Sequence, residues 1–174
     1  MAVPPDDVRA ALRGYLAGRP DEAPALAGLR ALLADGVDVV YGRGHAHVVA
    51  AVAAHTDDGR VLHVRDHGSD SWILPCGHPR AGDHSLRGVA LRALAEQSAI
   101  APELVEPLPT AFASDVSFHI PADVTIDGDH VVFHYPYRPT AASRYANVRA
   151  LTSLGNPNAA TGHAWLTSGA LLMR

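Results

Sequence analysis

The sequence predicts a single α/β domain in which helical and strand-like segments alternate. The chain begins with two segments whose apolar residues recur at helical spacing, and strand-like segments begin at residue 45. A third segment with helical spacing lies at residues 84–97, and strand-like segments follow it. With 174 residues, 48% of them hydrophobic, the chain is long enough to bury one sizeable core.

The amino-terminal segment is predicted to form a helical hairpin. Asp6 or Asp7 can cap its first helix, and Gly36 ends its second. Both helices carry apolar side chains at helical spacing: Val8, Leu12, Tyr15 and Leu16, then Leu26, Leu29, Leu32 and Leu33. We therefore predict a hairpin of residues 1–40 packed on a single globular domain of residues 41–174.

The pattern then changes to strands. "HAHVVAAVAAH" and "RVLHVRD" are strand-like runs, and Asp58-Gly59 between them is a dipeptide typical of a hairpin turn. A third, short strand is predicted at residues 72–74. The helix predicted at residues 84–97 turns five apolar side chains toward the core: Leu86, Val89, Ala90, Ala93 and Leu94.

The second half of the chain returns to strands. They are predicted at residues 110–120 and 129–138, around a turn at Asp127-Gly128. Because Pro136 has no amide donor, its strand is predicted to lie at a sheet edge or to end there. Residues 139–162 show no period and are predicted to be mostly loop. A short strand and a helix close the chain.

The composition argues against several classes of partner. Eighteen acidic against fourteen basic residues give a net charge of −4, so nothing electrostatic favours binding to nucleic acid or to an anionic membrane. No run reaches the ~18 apolar residues of a membrane span, and a single cysteine, Cys76, excludes a disulfide framework within the chain. We expect a cytoplasmic protein that binds a small molecule. Its oligomeric state, monomer or homodimer, stays open.

The segment "GHPRAGDHSLRGVALRALAEQSAI", residues 77–100, resembles the box of the Nudix hydrolase family, Gx5Ex7REUxEExGU with U aliphatic. Six residues match box positions or stand in for them: Gly77, Asp83 as the loop acid, Arg92 one residue late, Leu94, Glu96 and Ile100. The flanking segments look like a bacterial subgroup whose box begins Pro-Gly-Gly-His. The resemblance implies an α/β/α sandwich with a mixed sheet, and hydrolysis of a diphosphate linked to another moiety, most often a nucleoside.

The sequence departs from this family where the metal is held. Ala93 and Gln97 replace two glutamates that are metal ligands in the family, and Arg80 replaces the usual loop glutamate. Mg²⁺ needs hard oxygen ligands in near-octahedral geometry to neutralise phosphates and activate water. Glu96, Gln97 and the carbonyl of Gly77, with Asp83 beside them, are the groups that could still hold one ion, so we expect Mg²⁺ to bind weakly or not at all.

Histidine is the other side chain suited to proton transfer near neutral pH, and the chain has eleven. The predicted catalytic residues lie in segments expected to line the cleft: Glu96, His78, His119 and His134. The predicted ligand-binding residues lie in the same segments: Gly77, Asp83, Arg80, His130, Tyr135 and Tyr137. An ordinary structural role is the alternative for any one histidine. His45 and His47 share a strand face that could begin a metal site, but no third ligand is identified.

Three functions remain open, because one fold hosts many. The first is an enzyme with a degenerate metal site, which uses His and Glu acid–base chemistry on a small, phosphorylated or nucleotide-linked metabolite in bacterial secondary metabolism. The second is a weakened Mg²⁺-dependent hydrolase of nucleoside diphosphate derivatives. The third is a module that binds a nucleotide-like ligand without turnover.

Overall fold

The computed structural model describes residues 3–41, 47–66, 71–108, 121, 123–127 and 129–140, and the backbone of residues 163–167. The helices are α1 (Pro5–Gly18), α2 (Ala27–Ala34) and α3 (Leu86–Ser98), with 3₁₀ turns at Pro20–Glu22 and Pro102–Leu104. The strands are β1 (His47–Ala54), β2 (Arg60–Arg65), β3 (Trp72–Ile73), β4 (Cys76–Gly77), β5 (Val105–Pro107), β6 (Asp123–Asp127), β7 (His130–Pro139) and β8 (His163–Thr167). Among these helices, none has the length and hydrophobicity to cross a membrane.

The amino-terminal segment forms α1 and α2, and the predicted apolar positions face inward. Most of these side chains are buried: Val8, Leu12, Tyr15, Leu26, Leu29 and Leu33. The predicted cap of α1 at Asp6 or Asp7 is wrong, because Pro4 is its N-cap, whereas Gly36, with a φ of 73°, ends α2 as predicted. Asp6 instead pairs with Arg9 at 2.7 Å, and Asp7 accepts a hydrogen bond from the amide of Leu86 at 2.7 Å. Asp7 therefore connects α1 to α3.

The larger sheet is mixed. Its strand order is β4-β1-β7-β5, with β6 also paired to β7. β1 and β7 run parallel, from His47 opposite His130 to Ala54 opposite Tyr137, whereas the other pairs in this sheet are antiparallel. Parallel neighbours need a long crossover connection, and α3 lies within the one between β1 and β7. The predicted α/β fold with a mixed sheet is confirmed.

The second sheet, β3-β2-β8, is antiparallel. The predicted turn at Asp58-Gly59 is present: the amide of Thr56 donates to the carbonyl of Arg60 at 2.9 Å, and Gly59 has a φ of 80°. Beyond this turn a single bridge, at His55, connects β1 and β2. The two strands then join different sheets instead of continuing as a hairpin.

Pro136 lies inside β7, so the prediction of an edge or a strand end is wrong. On the side away from β1, the partner of β7 changes: β6 pairs with β7 as far as His134, and the pairing with β5 starts at Tyr137, opposite Pro107. The carbonyl of Pro136 accepts from Leu108 on that side at 3.0 Å. The backbone N and O of one strand residue point to the same side of the strand. The missing N–H of Pro136 therefore points away from β1, at the position where pairing changes from β6 to β5.

The core lies between one face of the larger sheet and the helices. Alternate residues of β1 and β7 are buried on this face: Val48, Ala50, Val52, Ala54, Val131, Phe133, Tyr135 and Tyr137. They form one hydrophobic cluster with apolar side chains of α1, α2 and α3. The alternation leaves His47 and His130, the first residues of β1 and β7, on the opposite face.

Candidate functional site

Two side chains fix the amino terminus of α3. Ser85 is the N-cap, and its hydroxyl accepts from the amide of Gly88 at 3.0 Å, while Asp7 accepts from Leu86. The five apolar positions predicted to face the core, from Leu86 to Leu94, are all buried. Ala93 packs against β4, and a Cβ placed on Gly77 would lie in van der Waals contact with the Ala93 Cβ, at 3.4 Å.

Asp83 and Arg92 form the buried centre of the loop between β4 and α3. Arg92 donates through Nε and Nη2 to the two carboxylate oxygens of Asp83, both at 2.9 Å, and Nη2 also donates to the carbonyl of His78 at 2.9 Å. Burial alone would raise the pKa of Asp83, but hydrogen bonds from Arg92 and from the Arg80 amide outweigh it and lower that pKa. Asp83 therefore connects the loop to α3, and the ligand-binding role predicted for it stays a prediction.

Glu96 is held by two arginines. Nη1 of Arg80 donates to both Glu96 oxygens at 3.0 Å, and Nη1 of Arg92 donates to one of them at 3.1 Å. Both carboxylate oxygens are thus engaged with cations. The catalytic role predicted for Glu96 stays a prediction, and its carboxylate is tied to Arg80 and Arg92 in this structure.

Gln97 pairs with β4 as a neighbouring strand would. The amide of Cys76 donates to Gln97 Oε1 at 3.1 Å, and Gln97 Nε2 donates to the carbonyl of Cys76 at 2.7 Å. Gln97 needs both a donor and an acceptor for this contact, and a glutamate has no donor when ionised. Its carbonyl oxygen is therefore committed to the backbone.

Two of the three residues predicted to hold Mg²⁺, Glu96 and Gln97, are engaged with other groups in this arrangement. Glu96 faces two guanidinium groups, and the oxygen of Gln97 is used by Cys76. Across the described ranges, no three His, Cys, Asp or Glu side chains are arranged to hold a metal ion.

Three imidazole rings meet beside this loop. The ring centroids are 6.2 Å apart for His47 and His78, 6.1 Å for His47 and His130, and 5.0 Å for His78 and His130. The sheet explains their meeting: His47 lies opposite His130, and β4 pairs with β1 one residue before His78. None of the three rings has a hydrogen bond to another described residue. We call these three residues the histidine cluster.

The environment of His78 favours its neutral form. Partial burial lowers the pKa of His78, and the neighbouring His130, His47 and Arg80 lower it further. The ring is nevertheless at the surface, because His78 as a whole is exposed. A neutral, accessible imidazole can accept a proton near pH 7, so His78 has the chemistry of a general base.

The other predicted site residues do not join the cluster. His134 lies four residues beyond His130, about 13 Å along the strand, and its Nε2 is 2.8 Å from the hydroxyl of Thr125. Tyr135 and Tyr137 are 3% and 2% exposed and point into the core, which corrects their predicted contact with ligand. The Tyr137 hydroxyl accepts from Arg87 at 2.6 Å. His119 lies outside the described residues.

His47 is the site residue that sequence reasoning missed. The sequence relates His47 only to His45, two residues earlier, for a metal site that lacks a third ligand. The signal that could have found it is positional, since parallel strands bring their first residues together. His47 begins β1 and His130 begins β7. Without the pairing of these two strands, nothing in local spacing connects the two histidines.

The family model described as the NUDIX domain matches residues 45–155 of this chain. Solved structures similar to the chain include a C. elegans Ap4A hydrolase, at 12% identity over 68% of this chain and 79% of that one, with a TM-score of 0.45. A NUDIX-family hydrolase from Clostridium perfringens shares 14% identity over 71% and 82%, with a TM-score of 0.46. An ADP-ribose pyrophosphatase from Streptococcus suis shares 14% over 69% and 72%, with a TM-score of 0.39. None of the curated proteins matches the chain.

Proposed function

This chain belongs to the NUDIX domain family, and on that premise we propose that it is an enzyme with a degenerate box that acts on a small metabolite by histidine acid–base chemistry. The metabolite is phosphorylated or nucleotide-linked. The observation that carries the proposal is the histidine cluster, in which three imidazoles lie within 6.2 Å of one another. We further assign the chain to the Pro-Gly-Gly-His subgroup and to the cytoplasm of a bacterium, in secondary metabolism.

His78 is the proposed general base. Its neutral ring takes a proton from water or from a substrate hydroxyl, and the oxygen so released attacks the substrate. His47 and His130 lie close to the His78 ring, and they share that proton and return it to the leaving group. His119 stays a predicted catalytic residue, whereas His134 is too far along β7 to exchange a proton directly with the cluster.

The test is turnover in the presence of EDTA, with ADP-ribose, Ap4A and other nucleoside diphosphate derivatives as substrates. We expect activity without metal, and we expect His78→Gln to lower kcat by about 100-fold or more, the range for removal of an acid–base group. His84→Gln is the matched control: His84 is an exposed histidine of the same loop and lies outside the cluster, so this variant should retain activity.

Two results would favour the alternatives. Turnover that requires Mg²⁺ and survives His78→Gln would support the weakened metal-dependent hydrolase. Binding of such ligands without turnover in any condition would support the binding module. Circular dichroism of each variant confirms that the fold is intact.

A further inference from the structure

Arg80 is an exposed arginine whose position is fixed at both ends. Its backbone amide donates to Asp83 at 2.7 Å, and its guanidinium donates through Nη1 to both oxygens of Glu96. Asp83 is itself held by Arg92. The side chain of Arg80 is still 63% exposed. Arg80 thus combines a solvent-facing charge with a restrained geometry, which is unusual because exposed arginines ordinarily keep their rotamer freedom.

Most of the hydrogen-bonding capacity of Arg80 is unused. A guanidinium carries five N–H donors in a planar fork, and Glu96 occupies only Nη1. In the part of the chain that the structure describes, Nε and Nη2 have no hydrogen-bond partner. These two nitrogens form one edge of the fork, which matches two oxygens of a phosphate.

The ion pairs around Arg80 leave one edge of its guanidinium available to an anion. Glu96 divides its single negative charge between Arg80 and Arg92, and Asp83 is already paired with Arg92. The two arginines and two carboxylates are together neutral, so an anion would be held locally, by the Nε and Nη2 edge of Arg80 that Glu96 does not contact. Arg80 also lies close enough to His78 for its charge to act on that imidazole, so an anion on Arg80 would lie beside the histidine cluster.

We propose that Arg80 binds a phosphate group of the substrate through its Nε and Nη2 edge, without a metal ion, and that Glu96 positions it for this purpose. The inference rests on the proposed function and adds the residue that binds the phosphate group of the substrate, a phosphomonoester or diphosphate. The guanidinium supplies the positive charge for the phosphate, and the histidine cluster next to it supplies the proton acceptor. Arg80 is the binding residue, and Glu96 acts only through it.

The experiment is calorimetric titration of the full chain with inorganic pyrophosphate in EDTA. We expect the wild-type protein to bind, and we expect Arg80→Gln to weaken binding about tenfold or more, because it removes the charge and the fork together. Arg80→Lys keeps the charge but not the fork and should fall in between. Arg138→Gln is the matched control, since Arg138 is likewise exposed and paired with one glutamate, Glu106, and it should bind like the wild type.

Three results would overturn the inference: Arg80→Gln binding as well as the wild type, binding that appears only with Mg²⁺, or malonate binding as tightly as pyrophosphate. Thermal melting of each variant separates lost binding from lost folding. The two proposals fail separately. If Arg80→Gln has no effect on binding but His78→Gln still abolishes turnover, only the phosphate assignment is wrong. If Arg80→Gln weakens binding but His78→Gln leaves turnover intact, only the proposed role of His78 is wrong.

Discussion

At the scale of single residues, Gln97 does what a carboxylate at the same position cannot. Its amide accepts from the backbone of Cys76 and donates to it, so α3 is joined to β4 by two hydrogen bonds. The sequence indicated that position 97 had lost a metal ligand. It could not indicate the new role, because Cys76 is 21 residues away and no local spacing connects the two.

Gln97→Glu should therefore destabilise the protein. The ionised carboxylate loses the donor to the Cys76 carbonyl and brings a negative charge beside that oxygen. Because Gln97 is exposed, we expect a loss of only about 1 kcal/mol, or about 2–4 °C in melting temperature for a chain of this size. Gln97→Ala, which removes both bonds without adding a charge, is the comparison. A melting temperature of Gln97→Glu that rises with added Mg²⁺ would contradict this account and indicate a metal site.

At the scale of elements, the start of α3 depends on α1. Asp7 accepts from the first amide of α3, where a negative charge is also favoured by the helix dipole. The sequence showed two adjacent aspartates suited to cap a helix, and one of them does so, but for another helix. Local patterns identify a capping side chain more readily than they identify its partner.

Asp7→Ala should cost about 1–2 kcal/mol of stability, the usual cost of losing a cap. The adjacent Asp6→Ala is the matched control, because Asp6 is 87% exposed and its one ion pair among the described residues is with Arg9, so its loss should cost less than about 0.5 kcal/mol. Urea denaturation of both variants measures the difference. Equal losses of stability in the two variants would mean that the hydrogen bond from Leu86 to Asp7 does not stabilise the fold.

At the scale of the whole molecule, buried faces were predictable and long-range pairings were not. The apolar stripes of α1 and α3 have local periods, so the sequence identifies them directly. The meeting of His47 with His130 depends on a parallel pairing across more than eighty residues, and no short-range period encodes it. The division into a hairpin of residues 1–40 and a domain of residues 41–174 stays a proposal, although α1, α2 and the sheet contribute to one hydrophobic cluster.

The buried histidines should make the whole fold sensitive to mild acid. Burial lowers the pKa of His63, which is 3% exposed, although the carbonyl of Val61 partly opposes the shift; burial likewise lowers the pKa of His55 and of His134. As the pH falls through about 6.5, the ordinary histidine pKa, the unfolded chain takes up protons before the folded one does, so stability falls. The pKa of Asp83 is also lowered, but its contribution is lost only below about pH 4.

We therefore expect the melting temperature to be lower at pH 5.5 than at pH 7.5, in a range where the carboxylates stay ionised. His63→Gln, which cannot take up a proton, should reduce this difference even if it lowers the melting temperature at both pH values. His84→Gln, at an exposed position, should leave the difference unchanged. Scanning calorimetry at the two pH values provides the measurement. A melting temperature that rises on acidification, or a pH difference unaffected by His63→Gln, would contradict the prediction that burial of His63 reduces stability in mild acid.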